Sequence, residues 1–380
     1  MPPPHPTTAI GTSITTLNTP SMLVSLPLME ANITALFSTL LPTGVTIRPH
    51  LKTTKSSVLA KRLVAAGATG GCVAKLSEAE TLCSLGFTDL LITSPIIGQV
   101  KISRLLPLLL AYPSPGIRIV VDCFEGAQAI NSTLEAASSD LKVLTLIDIN
   151  IGQNRTGVVP GAALELATAI RESLPRLEVI GIQGYEGHLQ HLADREARRR
   201  ECLAAMARLV GVADTLRKEG FNIEVVTTGG TGTAEFCASV KGITEVQPGS
   251  FIFMDTDYRN ALFPGIPAGE EKYKNALTIT ATVISKQGER MVTIDAGLKS
   301  LTTDSGLAEC TDARYVYGVM GDEHGSLSWE EGTPGLRVGE RVKLIPSHID
   351  PTVNLHGWYY AERFGRVEEV WEVDCRGMVQ

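Results

Sequence analysis

The sequence has no excess of basic residues: 34 Lys and Arg stand against 41 Asp and Glu, a net charge of −7 with histidine neutral. Without a basic field nothing gathers nucleic-acid phosphates or anionic headgroups, so neither nucleic acid nor membrane surface is expected as a partner. Any bound phosphate must be held by local geometry. Apolar runs approaching the roughly 20 residues that span a bilayer are missing as well. Cysteine is sparse: Cys72, Cys83, Cys123, Cys202, Cys237, Cys310 and Cys375 are dispersed, with no CxxC pair. That pattern reads as reduced, buried thiols in a cytoplasmic protein rather than a disulfide framework. Internal repeats are absent, and the one biased stretch is 1–19, rich in Pro, Ser and Thr and poor in acid. It lacks the arginines of an organelle-targeting segment, so residues 1–20 read as a disordered tail, with a processed targeting remnant as the alternative.

What is present is ordinary for a large folded core: 380 residues, 44% hydrophobic and 20% charged, which suggests about two domains. From about residue 45 to 250, short Val/Ile/Leu-rich runs alternate with helical stretches. Strands are expected at 45–48, 71–74, 90–93, 118–121, 144–149, 179–184, 224–228 and 245–247. Helices are expected between them, including 57–66, 78–85, 162–173 and 194–217, with Asp194 as an N-cap. Strands buried on both faces and followed by helices fit a (β/α)8 TIM barrel over 21–265. After about residue 265 the texture changes to strands at 276–284, 291–295, 341–345 and 368–373 separated by Gly, Asp and Glu turns. This implies a second, all-β domain over 266–380, with Ser21–Leu28 as a segment that pairs with it.

Five features carry chemistry. Arg48-Pro49-His50-Leu51-Lys52 follows the first barrel strand, at the mouth where barrel active sites form. A partly desolvated Lys52 there suits Schiff-base formation, although an isolated strand-end lysine also reads as a solvated one. Lys55, at the start of the next helix, is the lesser candidate. The turn Thr227-Thr228-Gly229-Gly230-Thr231-Gly232-Thr233 follows the seventh strand and opens a helix, where backbone amides can converge on an anion. Gln247-Pro248-Gly249-Ser250 follows the eighth strand and could complete that cradle, with Tyr258 within reach beyond Asp255. Gly184-Tyr185-Glu186-Gly187-His188 offers Tyr185 and His188 to orient a cofactor or move a proton, and Arg155 could neutralise a phenolate or meet a ring nitrogen. Finally, His348 and Asp350 lie two apart on an expected strand and so project from one face. They form an imidazole–carboxylate pair suited to Mn²⁺ or Zn²⁺, or a purely structural pair.

Taken together, RPHLK at 48–52, VAKLSEAE at 73–80, IGQNRTGV at 151–158, GYEGH at 184–188, GGTGT at 229–233, QPGSFIFMD at 247–255, DEHG at 322–325 and HID at 348–350 resemble the D-threonine aldolase and D-serine dehydratase group, relatives of alanine racemase. The resemblance covers nearly the whole chain. It implies an alanine racemase-like fold with pyridoxal phosphate on Lys52. The cofactor would be held by His50, Arg155, Tyr185, Gly230, Thr231, Gly232, Thr233, Gln247, Gly249, Ser250 and Tyr258. It also implies a divalent metal on His348 and Asp350. Dehydratases of the group carry cysteine where Asp350 stands; aspartate there implies Mn²⁺ first, with Mg²⁺ or Zn²⁺ open, and an aldolase. The implied activity is a lyase reaction cleaving D-threonine and related β-hydroxy-D-amino acids to glycine and an aldehyde, with Lys52 and His188 as catalytic residues. D-serine dehydratase is the alternative, a non-catalytic protein of pyridoxal-phosphate homeostasis a more distant one, and a homodimer the implied assembly. The group often has histidine where Thr54 stands, a departure in this chain.

Overall fold

The computed structural model describes residues 5–112, 116–138, 140–266 and 270–380. Two compact units form. One comprises Leu36–Lys52, Ser57–Gly249 and Met378–Gln380; the other, over its described residues, comprises 5–35, Thr53–Ser56 and Ser250–Gly377. The boundary expected at 265 thus falls at Gly249, and the residues around Ser21 belong to the second unit.

Strand β1 (Ser21–Ser25) lies in the second unit. The first unit holds β2 (Thr46–Ile47), β3 (Gly71–Val73), β4 (Leu90–Ile92), β5 (Ile117–Val121), β6 (Val143–Ile149), β7 (Leu177–Gly184), β8 (Val225–Thr228) and β9 (Glu245–Val246). They form one parallel sheet in the order β2-β9-β8-β7-β6-β5-β4-β3. The ring closes just past β2, where His50 bridges Cys72: Leu51 N donates to Cys72 O at 2.8 Å and Cys72 N to Pro49 O at 2.9 Å. Because every strand runs the same way, the residues that follow each strand share one rim.

Helix α1 (Leu26–Leu40) precedes the barrel strands; α2 (Ser57–Ala65), α3 (Leu76–Ser84), α4 (Gln99–Ala111), α5 (Phe124–Ala136), α6 (Ala163–Ser173), α7 (Arg195–Lys218) and α8 (Ala234–Ala238) come between them. Asp194 caps α7, accepting Ala197 N at 2.7 Å, and Glu78 caps α3 through Ala74 N at 2.9 Å. Helices α4 and α5 were not among the expected segments. Helix α4 starts after Gly98 and contains Pro107, both helix breakers, yet buries Ile102, Leu105, Leu108 and Leu109 at helical spacing.

Cys72, Leu91, Val120, Leu146 and Ile180, each from a successive strand, make one core cluster of the barrel. Arg48, 1% exposed just past β2, is a fully buried cation beside this core. Its Nε donates to Glu245 Oε2 at 2.8 Å and its Nη1 to Asp89 Oδ1 at 2.7 Å. Burial alone would lower the guanidinium pKa, but the surrounding groups, Glu245 first and then Cys72 and Asp89, together outweigh it and hold Arg48 above its ordinary value. Gly70 makes room for it: a Cβ there would stand 2.4 Å from Arg48 Nη1 and 2.6 Å from Asp89 O.

The second unit adds β10 (Leu277–Lys286), β11 (Met291–Ile294), β12 (Glu309–Cys310), β13 (Val316–Val319), β14 (Gly325–Ser328), β15 (Arg341–Ile345), β16 (Trp358–Arg363) and β17 (Arg366–Glu372), with short helices α9 (Thr256–Leu262) and α10 (Ile349–Val353). The main sheet path is β13-β14-β11-β10-β1-β16-β17. Strand β1 runs antiparallel to β10, from Ser21 opposite Thr280 to Val24 opposite Leu277, and parallel to β16.

The expected disordered tail is replaced, over residues 5–20, by ordered turns at Pro6–Ala9 and Ile14–Thr16; residues 1–4 lie outside the described residues. Gly11 N donates to Val367 O at 2.8 Å and Ile14 N to Gly365 O at 3.0 Å, so the backbone binds the β16–β17 hairpin. Leu17, 4% exposed, packs with Leu23 and Val367. Low local complexity hid a segment ordered by a distant edge. Among the described residues no helix is long and apolar enough to cross a membrane.

Candidate functional site

The barrel rim gathers the residues that follow β2, β6, β7, β8 and β9. Lys52 is exposed on the turn after β2. Its backbone N–H donates to His50 Nδ1 at 3.4 Å, while His50 Nε2 lies 3.1 Å from Thr93 Oγ1, whose own proton goes to Val73 O at 3.0 Å. This pattern suits a neutral imidazole protonated on Nε2. Lys55 does not open the following helix. It precedes α2 at φ 47°, is buried in the second unit, and donates through Nζ to Cys375 O at 3.3 Å.

Below the rim lies a polar floor of which the sequence singled out Thr227 and Gln247 but not Thr93, Asp148, Thr156 or Gln183. Gln183 Nε2 donates to Thr93 O and to Asp148 Oδ1, both at 3.0 Å. Gln247 Nε2 donates to Thr227 Oγ1 at 2.8 Å and to Gln183 Oε1 at 3.3 Å. Thr156 Oγ1 donates to Asp148 Oδ2 at 2.7 Å. Burial pushes the Asp148 carboxyl upward, and the hydrogen bonds from Gln183 and Thr156 hold the rise in check. Strand-interior Gln and Asp in otherwise apolar runs were the only available signal.

Arg155 stands over the Tyr185 ring, 5.6 Å from its centroid, beside Asn150, Gln153 and Thr156 in a shared hollow with Asp148 and Gln183. His188 is exposed on the turn Gly187–Leu189, and its ring lies against Gly152, where a Cβ would stand 3.1 Å away.

In the turn after β8, the amides do not all converge outward. Gly230 N donates to Thr233 Oγ1 at 3.2 Å and Gly232 N to Gln190 Oε1 at 2.9 Å. Gly230 and Gly232 therefore shape the turn, and Thr231 stands at its apex, 7% exposed. Gln247 N closes the neighbouring corner by donating to Thr228 O at 2.9 Å.

The second unit contains the other group. His348 and Asp350 are not on a strand: β15 ends at Ile345, His348 is the residue before α10, and Asp350 lies in that helix's first turn. Strand alternation therefore does not set the direction in which these two side chains project. Instead, His348 Nδ1 meets Asp304 Oδ2 at 2.5 Å, a contact that orients the ring and leaves Nε2 on its far side. Burial would raise the Asp304 carboxyl, but its bond to His348 holds it below the usual range. Asp255 caps α9 through Tyr258 N at 2.8 Å and also accepts Ile349 N at 3.0 Å, so one carboxylate ties the start of α9 to that of α10. Burial pushes Asp255 up to about 7 despite those two donors. Tyr258 is buried in α9, Ser250 opens a short turn, and Thr54 accepts the Tyr359 hydroxyl on its carbonyl at 2.6 Å. Among the described residues no group of three or more His, Cys, Asp or Glu stands at metal-binding spacing. Asp304, far from His348 in sequence, had no signal there.

Comparison with known proteins accords with this arrangement. The "Alanine racemase, N-terminal domain" family matches residues 24–257, and a serine dehydratase domain matches residues 276–361. D-threonine aldolase of Arthrobacter sp is 35% identical over 99% of this chain and 96% of its own. 3-Hydroxy-D-aspartate aldolase of Paracoccus denitrificans (strain Pd 1222) is 34% identical over 95% and 92%. The crystal structure of D-threonine aldolase from Filomicrobium marinum superposes with a TM-score of 0.90 at 32% identity, covering 98% of this chain and 99% of that one. The chain belongs to the alanine racemase N-terminal domain family and, within it, to the D-threonine aldolase and D-serine dehydratase group of lyases.

Proposed function

We propose that this enzyme is a pyridoxal-phosphate- and divalent-metal-dependent aldolase that cleaves D-threonine and related β-hydroxy-D-amino acids to glycine and an aldehyde. The observation that carries the reading is His348, oriented by Asp304 at 2.5 Å and two residues before Asp350 at the start of one short helix. An imidazole and a carboxylate are borderline-to-hard donors, a set that fits Mn²⁺ first, with Mg²⁺ or Zn²⁺ also compatible. When bound there, the cation supplies a lowered pKa for a coordinated hydroxyl. Pyridoxal phosphate, when bound, supplies an electron sink for the pair released at Cα.

The chain's own residues do the rest. Lys52 provides the amine that holds the cofactor, from an exposed position on the rim. His50, fixed by Thr93, and Tyr185, under Arg155, would flank the cofactor ring. Gln247 is held by Gln183 and Thr227, so it is positioned before any ligand arrives. Thr231, on the turn shaped by Gly230, Gly232 and Thr233, would take the phosphate together with Gly249, and Ser250 and Tyr258 are the cofactor-binding candidates that lie in the second unit. His188 is exposed and serves as the base that takes the β-hydroxyl proton.

A D-serine dehydratase reading is kept alive by the serine dehydratase domain over residues 276–361. The two separate in one assay series. Purified protein is given D-threonine or D-serine with and without Mn²⁺, following glycine, aldehyde and pyruvate, and the cofactor's visible band in wild type and Lys52→Ala. Glycine and acetaldehyde from D-threonine, enhanced by Mn²⁺ and lost with the band in the variant, are expected. Pyruvate from D-serine as the dominant product would move the assignment to the dehydratase. Equal cleavage of L-threonine would overturn the stereochemical part.

A further inference from the structure

Beneath the Gly229–Thr233 turn lies a carboxylate that none of the proposed steps uses. Glu186 is 0% exposed. Its Oε2 accepts the Thr228 hydroxyl at 2.9 Å, and its Oε1 accepts the Thr233 hydroxyl at 2.5 Å and Gln190 Nε2 at 3.2 Å. These donors are neutral, so the carboxylate depends on hydrogen bonds for its burial.

The direction of each bond matters. A hydroxyl has one proton and two acceptor sites. Thr233 commits its proton to Glu186, which leaves its oxygen to accept Gly230 N at 3.2 Å and Gln190 Nε2 at 2.8 Å. Gln190, with its amide nitrogen turned toward Glu186 and Thr233, presents Oε1 to Gly232 N at 2.9 Å. One acceptor at position 186 thereby sets the polarity of the whole network and draws both glycine amides inward. Gly230 lets Gln190 approach: a Cβ there would stand 2.5 Å from Gln190 Oε1.

We propose that Glu186 is a positioning residue for phosphate binding: acting through Thr233 and Gln190, it shapes the turn that presents Thr231 to a phosphomonoester. This rests on the phosphate reading of the turn given above. Glu186→Gln keeps the shape: its carbonyl can still accept from Thr233 and Gln190, but its NH2 then faces Thr228, whose hydroxyl must rotate, and the bonds that hold the partners of the glycine amides weaken.

The experiment compares the affinity of the full chain, stripped of cofactor, for pyridoxal phosphate and for pyridoxal, which lacks the phosphate. In Glu186→Gln the phosphorylated ligand is expected to bind about tenfold more weakly, as for loss of a buried charge-assisted hydrogen bond, with pyridoxal unchanged. Thr228→Val, which removes one donor to Glu186, is expected to act in the same sense by about threefold. A merely structural defect would weaken both ligands alike, and that outcome, or unchanged pyridoxal-phosphate affinity, overturns the proposal. If Glu186→Gln does not fold, Thr228→Val decides on the same ratio. Wild type binding pyridoxal as tightly as pyridoxal phosphate would instead overturn the phosphate reading itself.

Discussion

Asp304 Oδ2 lies 2.5 Å from His348 Nδ1, a bond between residues on separate loops of the β unit that fixes the imidazole and turns its other nitrogen away. A carboxylate behind a ligating histidine sets ring orientation and basicity. With the metal site proposed above, Asp304→Asn is therefore expected to weaken Mn²⁺ binding by roughly 10- to 100-fold. Calorimetric titration with Mn²⁺ measures it directly. An unchanged affinity would leave Asp304 as an incidental neighbour.

Arg48 joins a buried carboxylate, Glu245, and a half-exposed one, Asp89, in the barrel. Removing it strands Glu245, whose side chain is 5% exposed, while Asp89 is 47% exposed and can be hydrated. Arg48→Met is expected to destabilise the barrel by about 3–5 kcal/mol. Asp89→Asn is expected to lose no more than about 1 kcal/mol, as for an exposed pair. Denaturant unfolding monitored by circular dichroism should show this order; equal losses would refute the burial argument.

Leu17 tests the ordered N-terminal segment. It is 4% exposed against Leu23 and Val367, so Leu17→Ala should lose about 2–5 kcal/mol, as for a core leucine. A thermal midpoint indistinguishable from wild type would mean that the segment contributes nothing.

His356 sets a pH dependence. Its Nε2–H donates to Ser300 O at 2.9 Å, and burial lowers its pKa below the usual histidine value. The folded chain thus prefers the neutral ring, and the unfolded chain binds the proton more readily. The stabilisation is present above about pH 6.5 and is lost as pH falls through the folded value, with a slope of at most ~1.4 kcal/mol per pH unit. His356→Gln keeps an N–H donor without titrating, and its stability should fall less between neutral and mildly acidic pH. Parallel stability–pH curves would place the acid sensitivity elsewhere.

The barrel was legible because buried parallel strands are continuous Val/Ile/Leu runs, as at Val143–Ile149, and because Asp194 marks the start of α7. Helix α4 was not, since Gly98 and Pro107 interrupt the local signal that packing overrides. The β unit was read only where strands carry strong apolar character; Gly325–Ser328 is a strand because β11 and β13 flank it, not because of its residues. Motif residues such as Lys52, Tyr185 and Thr231 stood out, whereas Thr93, Gln183 and Gln190 became visible only as hydrogen-bond partners.

By itself the sequence determined the barrel, the rim position of Lys52 after the first barrel strand, and the adjacency of His348 and Asp350, since each follows from local pattern along the chain. Only the tertiary structure decided that His348 stands at a helix start, that Asp304 orients it, that the N-terminal segment is ordered, and that Gly230 and Gly232 turn inward toward partners held by Glu186. Those relationships join residues far apart in the chain, and their hydrogen-bond polarity depends on burial, which no local pattern encodes.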